Sequence, residues 1–93
     1  MTYEAESSKL RTIARGNPSF IWTKHALVEM EKDDIAKIDI VNLLKRCIVT
    51  LIEYRKEEHW RAEGKDINGR RIEVVLVLYE NKIKIKIITA WSK

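Results

Sequence analysis

Lys65-Asp66-Ile67-Asn68-Gly69-Arg70-Arg71-Ile72-Glu73-Val74-Val75, followed by Lys82-Ile83-Lys84-Ile85-Lys86-Ile87, decides how this chain folds. Side chains on a strand alternate between faces, so a period of two sorts these residues into an apolar set and a charged set. Asp66-Ile67-Asn68-Gly69 has Asp at the first turn position and Gly at the fourth. That is the chemistry of a three-residue hairpin loop, a type I turn followed by a left-handed glycine. Such a loop pairs Asp66 with Arg70, Gly64 with Ile72, Ala62 with Val74 and Trp60 with Leu76. A two-residue loop would pair Lys65 with Ile72 and Arg61 with Leu76, burying charge beside the core, and is rejected. At the next turn a two-residue Glu80-Asn81 loop is predicted, pairing Leu78 with Ile83, Leu76 with Ile85 and Val74 with Ile87. Together these registers predict one dry sheet face and one open face. The open face carries His59, Arg61, Lys65, Arg71, Lys82, Lys84 and Lys86, with Glu63, Glu73 and Tyr79 among them.

Working outward, residues 48–55, 58–66, 70–79 and 82–90 read as four strands of an antiparallel meander. The segment before them has a helical period. Residues 5–15 place Leu10, Ile13 and Ala14 on one face and stop at Gly16, before the turn Gly16-Asn17-Pro18. Ser19–Trp22 is a short extended piece. Thr23 then suits the N-cap of a helix over 24–32, which Asp33-Asp34 breaks. A third helix over 37–46 is apolar enough to be largely buried. The expected fold is α+β, with two or three N-terminal helices packed on one face of a four-stranded antiparallel meander sheet.

Composition narrows the function classes. Ninety-three residues make one domain, expected over 1–93, and 45% apolar residues suffice for a core. Eighteen Lys+Arg against 14 Asp+Glu give a charge of +4, which fits a nucleic-acid binder, an ordinary basic domain or a partner of an acidic protein. One cysteine, Cys47, forms no internal disulfide framework and reads as a small core residue in a reducing compartment. The first residues have no apolar signal-peptide core, and no apolar run approaches the ~20 residues of a membrane span. A cytoplasmic protein with no membrane partner is expected.

Two histidines 34 positions apart and one cysteine offer no metal-ligand spacing, and no glycine-rich phosphate loop is present. No metal and no cofactor are expected. The cationic face suits a phosphate backbone, although alternating Lys on a terminal strand also serves to keep a sheet edge from aggregating. His25, just after the Thr23 cap, suits either acid–base work or a structural hydrogen bond. The three Trp residues read mostly as core, with Trp91 placed where it can stack on a base.

These residues compose a pattern: Thr23-Lys24-His25-Ala26 opening a helix, then Ile35, Ile40-Val41 and Leu43-Leu44, then Trp60-Arg61-Ala62-Glu63-Gly64-Lys65-Asp66, Gly69-Arg70 and a final Ile87-Ile88-Thr89-Ala90-Trp91. Over about residues 20–93 it resembles a family of small bacterial domains related to the RelE/ParE toxin superfamily, with BrnT and MqsR toxins as its nearest functional relatives. The resemblance implies a RelE-like toxin of a type II toxin–antitoxin system, a metal-independent endoribonuclease (mRNA interferase) using the RNA 2′-hydroxyl as nucleophile. Its implied partners are a cognate antitoxin and RNA, ribosome-bound mRNA included. Arg61 matches the family's strand arginine and would stabilise the phosphate, His25 matches its histidine for acid–base work, and Tyr79 is a reserve acid. Lys65, Arg71, Lys82, Lys84 and Lys86, deduced from register, would hold RNA. Members of the superfamily often carry a basic, His or Tyr residue near the last strand; here only Lys93 can fill that place. Some members instead bind DNA gyrase, so a non-catalytic module acting on a protein target is the alternative.

Overall fold

The computed structural model describes residues 3–93, and residues 1 and 2 of the expected domain lie outside it. Its elements run α1 (Glu4–Arg15), β1 (Ser19–Trp22), α2 (Lys24–Lys32), α3 (Lys37–Leu44), β2 (Ile48–Tyr54), β3 (Glu58–Lys65), β4 (Arg71–Tyr79), a 3-10 turn (Glu80–Lys82) and β5 (Lys84–Ser92). The fold is α+β, with boundaries within two residues of the sequence expectation for the helices. The sheet differs: it has five strands in the order β1-β5-β4-β3-β2 and is mixed. β1, read from the sequence as an isolated extended piece, pairs parallel with β5, Phe20 beside Ile85 and Trp22 beside Ile87. Four residues with no hairpin to place them leave no local trace of so distant a partner.

The first hairpin forms as its residues dictate. Asp66 N–H donates to the Arg70 carbonyl at 2.9 Å, Gly69 N–H to the Asp66 carbonyl at 3.0 Å, and Gly69 takes φ 80°. Trp60, Ala62 and Gly64 lie opposite Leu76, Val74 and Ile72, as expected. The second turn corrects the expectation. Leu78 pairs with Ile85 and Leu76 with Ile87, two residues further along β5 than predicted. A two-residue loop would require positive φ at Glu80, which a glutamate disfavours. The chain instead makes the 3-10 turn and closes it with Ile83 in the left-handed region at φ 49°. Because the slip is by two, Lys84 and Lys86 keep their face, while Lys82 leaves the strand for the turn. An irregularity between Val75 and Leu76 leaves Ile88 unpaired, so Trp91 faces Glu73 on the open side.

The helices all pack on the other side. One core joins Leu10, Ala26, Met30, Ile40, Leu43 and Leu44 to Val49, Ala62, Val74, Ile85 and Ile87. Thr23 caps α2 by accepting the Ala26 N–H at 3.1 Å, and its hydroxyl contacts the Ile87 and Ile88 carbonyls at 2.9 and 3.0 Å, seating the helix on β5. Burial pushes the Cys47 thiol up to about 11, which suits a packing role. α3 lies so close to β3 that a Cβ on Gly64 would stand 3.3 Å from Leu43 Cδ1.

A polar latch joins the hairpin to the helical layer. The Asp66 carboxylate accepts the Asn68 and Arg70 N–H groups at 3.0 and 2.8 Å and the Arg70 Nε at 3.0 Å. The rest of that guanidinium donates to the carbonyls of Asp33 and Asp34, at 2.5 and 3.0 Å, where α2 ends. Asp33 Oδ2 in turn accepts the Ser92 N–H at 2.8 Å, adding the end of β5.

Removing the Arg70 head group strands several acceptors, so Arg70→Ala is expected to cost about 2 kcal/mol, read as a clear fall in thermal midpoint. Gly64→Val overpacks the α3–β3 contact and is expected to cost about 1–3 kcal/mol in a denaturant titration. Burial raises the Asp66 pKa, but the Arg70 and Asn68 N–H groups and the Arg70 charge outweigh it and hold the carboxyl below its usual range. Its folded pKa is depressed, so its stabilisation is present above the ordinary value of ~3.9 and is lost as pH falls through the lower folded one. Asp66→Asn should therefore flatten the acid limb of the stability curve.

Candidate functional site

The register lays out the uncovered face as rows across the sheet. Glu53 lies opposite His59 on β2 and β3, and Lys86 lies between Val77 of β4 and Ile21 of β1. The next row holds Leu51, Arg61, Val75 and Thr89, and the one after it Ile48, Glu63, Glu73 and Trp91. Lys65 and Arg71 pair at the hairpin end. At the opposite end Tyr79 pairs with Lys84, and extending the β3–β4 ladder brings Glu57 opposite Tyr79.

Arg61 stands in the middle of this face. Its guanidinium lies 5.8 Å from the centre of the Trp91 ring, a cation–π distance. Its Nε is 3.6 Å from Glu73 Oε1, an ion pair too long for a hydrogen bond. Arg61 Nε is the buried side-chain polar atom left without a hydrogen-bond partner among the described residues. Glu73, only 6% exposed, also takes Lys93 Nζ at 3.5 Å. Lys93 reaches Glu63 at 3.4 Å as well, and its N–H donates to the Arg71 carbonyl, so the last residue is tied to the sheet.

The face is therefore less purely cationic than its strand pattern implies. Arg71 is hydrogen-bonded to Glu63, Arg61 is paired with Glu73, and Lys86 with Glu57 at 3.1 Å. Burial raises the Glu63 pKa, but Arg71 and Lys93 outweigh it and hold it below the usual range. Lys65, Lys82 and Lys84 have no carboxylate partner among the described residues. Lys65 and Arg71 line a groove of about 460 Å³ with Arg46, Ile48, Thr50 and Glu63, at the hairpin end of the sheet.

The structure thus brings Arg61, Tyr79, Lys84 and Lys86 onto one surface, with Lys65 and Arg71 at its hairpin end and Lys82 in the turn beyond its other end. It does not bring His25 there. His25 is exposed in the first turn of α2, which packs on β5 from the covered side, and no hydrogen bond or ion pair joins it to Arg61 or Tyr79 among the described residues.

Sequence reasoning missed Glu57. It accepts the Tyr79 hydroxyl proton on Oε2 and Lys86 Nζ on Oε1. Those two hydrogen bonds, Tyr79 first, hold the Glu57 carboxyl below its usual range. The bond to Glu57 raises the Tyr79 phenol, and Lys86's own bond to Glu57 raises its ammonium. The signal was parity: Glu57, His59 and Arg61 alternate in phase, but Glu57 precedes the predicted strand.

Among the described residues no group of three or more His, Cys, Asp or Glu is placed to hold a metal ion, and no helix is long and apolar enough to cross a membrane. Because ionised Glu57 stabilises the protonated phenol, Tyr79 is expected to titrate above the ordinary ~10, and Glu57→Gln to lower that value. NMR titration of the tyrosine ring signals checks this; an unmoved Tyr79 would break the assignment.

No curated protein and no solved structure matches the chain. One family model does, over residues 22–92, from the last residue of β1 through β5 and leaving out α1. It covers Arg61, Trp91 and the carboxylates and lysines of β3 to β5 described above, and the chain belongs to that family, the Domain of unknown function (DUF4258).

Proposed function

We propose that this chain is the toxin of a type II toxin–antitoxin pair, a RelE-like endoribonuclease that receives RNA on its uncovered sheet face and cleaves it without a metal. The observation that carries this reading is Arg61: a guanidinium in the centre of an unlayered sheet, beside an aromatic ring, with its Nε unsatisfied. The exposed part of this guanidinium can give a phosphate oxygen a charge-assisted hydrogen bond, while its buried Nε stays beside Glu73. Trp91 beside it offers a face for a base to stack on. Lys65, Arg71, Lys84 and Lys86 extend the positive potential along the sheet, with Lys82 at its far end, as a strand of phosphates requires.

The cleavage is an attack of the RNA 2′-hydroxyl on its own phosphorus. Arg61 stabilises the charge that develops on the phosphoryl oxygens. The carboxylates among the cations keep the resting face from gathering anions indiscriminately, and RNA binding then adds a phosphate to Arg61 beside its pair with Glu73. In this reading a cognate antitoxin silences the protein by covering the same face, and His25 stands outside it.

The test is induced expression with the ends of cellular RNA mapped, together with binding of the purified chain to single-stranded RNA. Growth arrest with new RNA ends is expected, and binding should weaken steeply with salt. Arg61→Ala should abolish the cuts and weaken binding about ten-fold or more. Growth arrest with intact transcripts would sink the nuclease reading and point to a protein target such as DNA gyrase.

A further inference from the structure

Arg61 can hold a phosphate, but a hydroxyl nucleophile and an alkoxide leaving group also need a proton acceptor and a proton donor. Candidates for both stand towards the far end of the same face, His59 one row from Arg61 and Glu57 two rows from it. Glu57 reaches over the end of the sheet to Tyr79 and Lys86, so its carboxylate is held by two donors from β4 and β5. His59 follows on the same face, half-buried, with Glu53 opposite it on β2. His59 lies two positions after Glu57, so the two side chains share the uncovered face. Val77 lies across from His59, between it and Lys86, and is only 4% exposed although it belongs to the uncovered face.

From this geometry we infer that Glu57 and His59 are the catalytic base and acid of the RNA cleavage, with Tyr79 and Lys86 as positioning residues that hold the Glu57 carboxylate. The inference rests on the endoribonuclease reading above. Glu57 takes the proton of the 2′-hydroxyl as its oxygen bonds to phosphorus. The bond from phosphorus to the 5′-oxygen breaks, and that oxygen takes a proton from the His59 imidazolium. The products are a 2′,3′-cyclic phosphate and a free 5′-hydroxyl, with no water, metal or redox partner consumed; Glu57 and His59 then exchange protons with solvent. The hydrogen bonds from Tyr79 and Lys86 fix the position of the Glu57 carboxylate on the face.

The test uses the full chain and an RNA oligonucleotide carrying a cleavage site mapped with the wild type. A second oligonucleotide has sulfur in place of the bridging 5′-oxygen there, and both are assayed with and without added ribosomes. Glu57→Gln and His59→Ala should each slow cleavage of the ordinary RNA about a hundred-fold or more while binding it as the wild type does. The sulfur leaving group departs without a proton, so His59→Ala should regain most of its rate on the second RNA while Glu57→Gln stays slow on both. Tyr79→Phe should cleave more slowly yet bind normally. Wild-type rates in Glu57→Gln or His59→Ala, loss of binding in step with cleavage, or no sulfur rescue of His59→Ala each overturn the assignment while the endoribonuclease reading stands. No cleavage of either RNA by the wild type overturns both.

Discussion

The Arg70 guanidinium, shared between Asp66 and the two carbonyls that end α2, is the contact on which the arrangement of this protein turns. Asp66 and Arg70 flank the hairpin loop, so their pairing holds β3 and β4 in one register. That register alone determines that Arg61 and His59 point away from the helices. The other end of the guanidinium anchors the exit of α2, and Asp33 passes the constraint to β5 through Ser92. Three segments distant in the chain thus meet at one planar, multiply donating group, which an ammonium could not replace. The cost of burying the Asp66 carboxylate is offset because each of its oxygens is engaged.

On the far side of the sheet the same kind of chemistry is left incomplete. Glu63 and Glu73 of the uncovered face are each shared between two cations, both reaching Lys93, while Arg61 keeps an unsatisfied Nε. With Glu73 buried and its cations only partly so, desolvation offsets much of what these pairs contribute to stability. They are better understood as an arrangement that orients side chains and can be exchanged for a ligand's charges. Glu57 differs, since one of its two donors is the neutral Tyr79 hydroxyl.

Much of this was legible in local residues. The Asp66–Gly69 turn, the Thr23 cap, the break at Asp33-Asp34 and the apolar parity of β4 all declare themselves within a few positions, because turn and cap chemistry acts through neighbouring backbone groups. The second hairpin was misread for a related reason. Glu80-Asn81 lacks the glycine of a tight turn, and the longer loop it makes depends on Ile83 accepting a left-handed backbone. The placement of Arg61, Tyr79 and Lys86 on one face survived that error, since a two-residue slip preserves side-chain parity.

The alternation of Ile and Lys and the hairpin turn chemistry establish by themselves that a sheet forms, that one side is dry, and which side Arg61 occupies. Hydrophobic burial acts on each strand separately, so a strand's own residues suffice to determine which way it faces. Only the folded chain decided that β1 completes the sheet beside β5, that Trp91 turns outward over Arg61, and that His25 stands apart while Glu57 joins Tyr79 and Lys86. Those outcomes rest on hydrogen bonds and bulges between segments far apart in the chain, and such pairings leave no periodicity in either partner.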